Sequence, residues 1–293
     1  MMVLASLLFA TMSVCVKLAA PSYSAGEVVF YRGLAGAIVI VLLQRWRGGS
    51  LRTPVLGMHV ARSASGVVAM CLWFHALGGL PLATATTLNY MSSVWMALFL
   101  MGGAVLFGAR RVEGVLVAAV LLGFAGVALV LRPALHEGQL WFGLSGLLSG
   151  VLAAMAYLQI TALGRCGEPE DRIVFYFSLG SMAVGGAWML WQGSAPHTPR
   201  GVALLVAIGL LAVAAQMLMT RAYTVGSTLV NAVLQYLGIL FAYGYGVMLF
   251  DEIVTGSAAV GVVLIVAAGL ITTRVRARGP EDPDTRGRSP SDS

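Results

Sequence analysis

LATATTLNYMSSVWMALFLMGGAVLF, residues 82–107, carries no charged side chain. A helix of that length reaches about 39 Å at 1.5 Å per residue, longer than the ~30 Å hydrocarbon core of a bilayer. The stretch therefore reads as a transmembrane helix. Its middle is less simple, because Asn89, Tyr90, Ser92, Ser93 and Trp95 gather where lipid would leave their polar atoms without partners.

The rest of the chain agrees with that solvent. Of 293 residues, 59% are hydrophobic and 10% charged, and the mean hydropathy is +0.88. A soluble domain carries about a quarter charged residues. A chain in lipid must satisfy its backbone internally, as helices or a closed barrel. The apolar runs here are continuous rather than short and alternating, so they read as helices. The net charge of +6 and pI near 9.5 could suit a nucleic-acid binder. The basic residues sit in short connecting segments without interleaved aromatics, so they are expected to orient the protein in its membrane. Cys15, Cys71 and Cys166 are too few and too scattered for a disulfide framework or a zinc site. No metal or cofactor is expected. The apolar start lacks a basic n-region and runs directly into another span, so it reads as a first helix rather than a cleaved signal.

Charges, prolines and glycine clusters divide the chain into ten expected spans, at 2–19, 26–44, 57–77, 82–107, 112–131, 140–163, 172–191, 200–220, 228–250 and 255–273. From 279 to 293 the composition turns to Pro, Ser and acid, which predicts a disordered cytoplasmic tail. Alternate loops carry Arg45, Arg47, Arg52, Arg110, Arg111, Arg165, Arg172, Arg221, Arg274, Arg276 and Arg278 against Arg132 and Arg200. That asymmetry places both termini in the cytoplasm.

Five spans on each side of a 132–139 linker suggest an internal repeat. ALGGLPLATATTLNY (76–90) and AYTVGSTLVNAVLQY (222–236) have equal length, and each ends in an amide followed by Tyr. Because five is odd, the second half enters from the opposite side, as in many secondary transporters. Asn89 and Gln235 then bracket the bilayer midplane, each about 10 Å inside its surface.

Four segments carry a family resemblance: SVCVKLA around Lys17, VVFYRGLAGA around Arg32, WFHALGGLPLATAT at 73–86, and LGILFAYGYGVMLFDE at 237–252. The chain resembles the drug/metabolite transporter superfamily in its ten-helix form with two EamA-type repeats. The resemblance implies an all-α membrane fold with a central cavity, a first repeat over 1–131 and a second over 140–278. It departs from the family at GARR (108–111), where an acidic residue is usual, and at Ser92–Ser93, where the fourth helix usually carries Pro. The Asn-Tyr, Ser-Ser and Trp pattern looks most like the bacterial aromatic amino acid exporters often called YddG.

The expected substrate-binding residues are Asn89, Tyr90, Ser93, Trp95, Gln235, Tyr236, Tyr243, His75, Gln216 and Tyr157. Each has a packing alternative, since polar residues also join helices. Asn89, Ser93 and Met96 share one helical face and could line a cavity or hold helices together. Trp95 is too deep for an interfacial belt and could stack on a substrate ring or simply pack. Asn231, Tyr223 and Gln159 are weaker candidates, and Ser92 is expected to pack. His75 could meet a substrate carboxylate or be structural. Lys17 and Arg32 lie near helix ends, where snorkelling is the default and attraction of an anion into an outer vestibule the alternative.

The spans contain no deep carboxylate, Ser-His or Cys-His pair, H-E-x-x-H or P-loop, which argues against a buried proton relay and against an enzyme. A channel would need a filter motif that is also missing. The expected function is export of small amphipathic metabolites across a bacterial inner membrane by alternating access. Aromatic amino acids lead the substrates and cationic drugs follow; the alternative is a drug, nucleotide-sugar or other metabolite carrier of the same superfamily, with an intramembrane enzyme behind it. The expected partners are a small-molecule substrate and the lipid bilayer, with no nucleic acid, and a monomer suffices.

Overall fold

The computed structural model describes residues 1–106, 139–226, 234–253 and 255–277, together with 118, 121–123, 125–127, 129 and 231. Arg110, Arg111, residues 132–138 of the expected linker and the tail at 279–293 lie outside the described residues. Every described element is helical: α1 (Met2–Ala19), α2 (Ala25–Arg47), α3 (Leu56–Gly79), α4 (Leu82–Tyr90), α5 (Ser92–Leu106), α6 (Leu140–Arg165), α7 (Glu170–Gln192), α8 (Pro199–Val225), α9 (Leu237–Phe250) and α10 (Gly256–Ala277). Residues 121–123, 125–127 and 234–235 are also helical. Among the described residues, α1, α2, α3, α6, α7 and α8 are each long and apolar enough to cross a membrane.

Local chemistry sets several of these ends. The Ser24 hydroxyl accepts from the Glu27 amide and the Glu27 carboxylate accepts from the Ser24 amide, a reciprocal cap that starts α2. Gly48, at φ 67°, ends the same helix in the left-handed region. Thr198 caps α8, whose first residue is Pro199.

The outside of the bundle is apolar and part of its inside is polar. Leu190, Trp191, Trp46, Met248 and Ile253 are fully exposed, while Arg32, Arg62, Asn89, Gln216 and Gln235 are buried. In water that arrangement would aggregate, and in lipid it is the expected one. The protein is a multi-pass membrane protein.

Helix contacts come in matched sets. α3 packs on α6 as α1 packs on α8, α5 packs on α6 as α1 packs on α9, and α2 packs on α8 as α3 packs on α7. α2 also packs on α7, and α4 packs on α6 and on α9.

The run at 82–107, expected as one continuous helix, is broken. Met91 forms a turn between α4 and α5, and the Val94 amide bonds to the Met91 carbonyl at 2.9 Å, three residues back instead of four. Tyr236 makes a similar turn before α9, with the Ile239 amide on its carbonyl at 3.0 Å. Each break follows an amide residue and adjoins a Tyr, and neither uses proline. At the first, α6 crosses so closely that a Cβ on Gly150 would lie 2.7 Å from the Leu88 carbonyl oxygen.

Polar ties close both ends of the bundle. At one, Lys17 donates to Glu252 at 2.7 Å and to the Leu80 carbonyl at 2.8 Å, and the Glu252 carboxylate accepts from the Leu82 amide at 2.8 and 3.0 Å. At the opposite end His59 pairs with Glu168 at 3.1 Å, and Gln44 donates to Asp171. Lys17 is therefore not a snorkelling residue. Its charge is neutralised by a carboxylate at the far end of α9.

Candidate functional site

A cavity with about 70 Å³ of room for the centres of water molecules lies at the centre, walled by α1, α2, α3, α4, α6, α7 and α8. On α3, Arg62, Gly66, Met70 and Trp73 share one face and all reach it. Asn89 and Tyr90 enter from the end of α4, next to the Met91 break. Tyr157 comes from α6, Phe177 from α7 and Gln216 from α8, with Arg32 from α2.

The two guanidinium groups dominate the electrostatics. Their carbons lie 5.1 Å (Arg32) and 4.0 Å (Arg62) from the centre of the Phe177 ring, so both cations share one aromatic side chain. Arg32 donates to the Gln216 carbonyl oxygen at 3.2 Å. Among the described lining residues there is no Asp or Glu. Gly66 leaves the room that Arg62 occupies, since a Cβ there would lie 2.1 Å from its Nη1.

Asn89 donates to the Ser149 hydroxyl at 3.0 Å, which itself donates to the Gly146 carbonyl at 2.6 Å. That chain fixes the amide where the α4 backbone turns. Tyr157 stacks on Tyr223 with 5.2 Å between ring centres, and Gln235 donates to the Tyr157 hydroxyl at 3.0 Å while accepting from Tyr223 at 3.4 Å. Gln235 thus stands behind the wall and positions Tyr157.

Of the residues singled out in the sequence, Asn89, Tyr90, Tyr157 and Gln216 line the cavity. Gln235 and Tyr223 support it from behind. The others lie elsewhere. Ser93 and Tyr236 face one another in the packed core beside it. Met96 packs on Ala154 and Trp95 against the same pair, because the turn at Met91 breaks the face that would have joined Asn89 to Met96. Tyr243 packs against the main core, and Asn231 donates to the Ala222 carbonyl. Gln159 accepts from Ser65, and Ser92 is fully buried.

His75 is exposed, stacks on Phe142 with 4.7 Å between centres, and lines a second cavity near the Lys17 end. Phe74 lines both cavities and stands between them. Arg32, expected to snorkel, is a cavity residue, because its side chain is turned inward to Gln216. Arg62 was missed altogether in the sequence. The usable signal was a lone Arg six residues into a span, 2% exposed once folded.

Comparison with known proteins accords with this architecture. The sequence model of a family described as the EamA-like transporter family matches residues 1–132. The chain is 32% identical over 274 residues to the pseudopaline exporter CntI of Pseudomonas aeruginosa, covering 94% of this chain and 95% of that protein. It is 28% identical over 287 residues to a riboflavin transporter of Rhizobium johnstonii, covering 96% and 92%. One solved crystal structure shares the fold at a TM-score of 0.68 and 20% identity, covering 94% of this chain and 96% of that one. A relative this similar over nearly its whole length, together with the matched first half, means that this chain belongs to the EamA-like transporter family.

Proposed function

We propose that the protein exports small amphipathic metabolites across a bacterial inner membrane, by alternating access about the central cavity. The observation that carries this reading is the cavity itself: polar groups converge at the break between α4 and α5, deep in a bundle whose outside suits lipid. Broken helices at membrane depth are tolerated where they border a cavity. The matched helix contacts support two inverted five-span repeats, over 1–131 and 140–278, and the arginine asymmetry supports cytoplasmic termini. Phe74, between the two cavities, is suited to gate one of them.

Two relatives are named for the export of pseudopaline and the transport of riboflavin, both small metabolites. Aromatic amino acids, the substrates suggested by the sequence, fit the aromatic walls. Cationic drugs fit the cavity less well, because Arg32 and Arg62 repel them. No chemistry on the substrate is expected.

Counterflow in proteoliposomes tests the reading. Preloaded vesicles should show saturable exchange of phenylalanine or of an acidic aromatic solute without an imposed proton gradient. Strict dependence on that gradient would remove the facilitated mechanism, and ohmic, unsaturable flux would indicate a channel. Asn89→Ala and Gln235→Ala, each losing a hydrogen bond that shapes the wall, should slow exchange about fivefold or more. Normal rates in both would move the site elsewhere.

A further inference from the structure

The polar atoms facing the cavity are unbalanced in one direction. Arg32 Nε, Arg62 Nε and Nη1, Trp73 Nε1 and Gln216 Nε2 are buried without a hydrogen-bond partner, and all five are donors. The four side chains are between 2% and 8% exposed. The two cations share the Phe177 ring, so their carbons are no more than about 9 Å apart. No described lining residue is a carboxylate, and the ion pairs Lys17–Glu252 and His59–Glu168 lie at the bundle ends. An unpaired charge in a low-dielectric interior is costly, and such charges persist where a partner is to be bound.

Resting on the transporter reading above, we infer that the missing partner is the cargo: an amphipathic solute with two acidic groups, one set against Arg62 and one against Arg32. Its apolar or aromatic body lies against Phe9, Met12, Met70, Phe74 and Met219. Two carboxylates neutralise both guanidinium groups and supply acceptors for the orphaned donors. An aromatic amino acid fits less well. Its single carboxylate leaves one cation uncompensated, and its ammonium meets no acidic lining residue. The inference therefore turns the cavity from a general aromatic site into a dianion site.

The probe is benzylsuccinate, compared with its dimethyl ester, phenylalanine and phenylalaninamide. Calorimetric titration of the detergent-purified full chain should show benzylsuccinate binding at least tenfold more tightly than the ester or the amide. Arg62→Gln should abolish that preference and Arg62→Lys should keep part of it. Because Arg62 faces the Phe177 ring but no carboxylate among the described lining residues, Arg62→Gln should leave the melting temperature unchanged or raised. A preference for the ester or amide, a preference that survives Arg62→Gln, or a variant that fails to fold would each overturn the inference. The last would show that the guanidinium is held by the fold and not by cargo. Vesicles that carry phenylalanine or its amide but not benzylsuccinate would leave the transporter standing and remove the dianion. Binding in detergent with no flux of any probe would do the reverse.

Discussion

Among the described residues outside the cavity, Glu252 joins three elements. Its carboxylate meets Lys17 and the backbone amide of Leu82, so it ties α1, the start of α4 and the end of α9 at one point. The contact is 13–20% exposed, sheltered enough for the charges to be felt. Glu252→Gln should cost about 1–3 kcal/mol, read as a lower melting temperature in detergent, and Lys17→Met in that background should add little. Additive losses would mean that the two side chains act independently. Partners 235 positions apart leave no trace in local sequence, which is why Lys17 read as a snorkelling residue. Arg62 escaped notice for a related reason. A search for apolar runs tolerates one charge, and only the inward face of α3 shows where that charge goes. Asn89, Gln216 and Tyr157 were legible because an amide or phenol in hydrocarbon needs a partner wherever it lies.

At the level of elements, the α4–α5 turn is the main departure from the sequence. Hydropathy sees residues 82–107 as continuous because lipid-facing composition does not change at Met91. The break is imposed by the close crossing of α6 at Gly150. Gly150→Ala would press a methyl carbon to 2.7 Å from the Leu88 carbonyl oxygen and 3.0 Å from that of Asn89. It should destabilise the protein by about 1–3 kcal/mol and reduce counterflow, whereas Gly57→Ala, with open space around it, should be neutral. Equal melting temperatures for the two variants would show that the crossing yields easily. Helix limits such as Met2–Ala19 were legible almost to the residue, because Pro, Gly and charge punctuate the loops.

Across the whole molecule, the arginine asymmetry supports the proposed topology, in which the α6–α7 corner would lie in the cytoplasm. Cys166 sits at that corner and is exposed, whereas Cys15 is partly buried and Cys71 is buried. A membrane-impermeant maleimide should therefore label Cys166 in inside-out vesicles and not in intact spheroplasts, with Cys166→Ser as the blank. Labelling in spheroplasts would invert the proposed topology. The repeat was legible only as a weak echo between 76–90 and 222–236, and the paired helix contacts are in keeping with it.

The two guanidinium groups on Phe177 have an energetic consequence for a carrier whose central cavity has no carboxylate among its described lining residues. Bacterial membranes are negative inside, and moving one charge across 100 mV is worth about 2.3 kcal/mol. A dianion leaving the cell thus runs downhill electrically by roughly 4–5 kcal/mol per 100 mV, enough to hold a concentration ratio of about a thousandfold or more. Arg32 and Arg62 let such a solute enter a low-dielectric passage without bringing its own counter-ions, so the voltage itself would drive export and no proton need move.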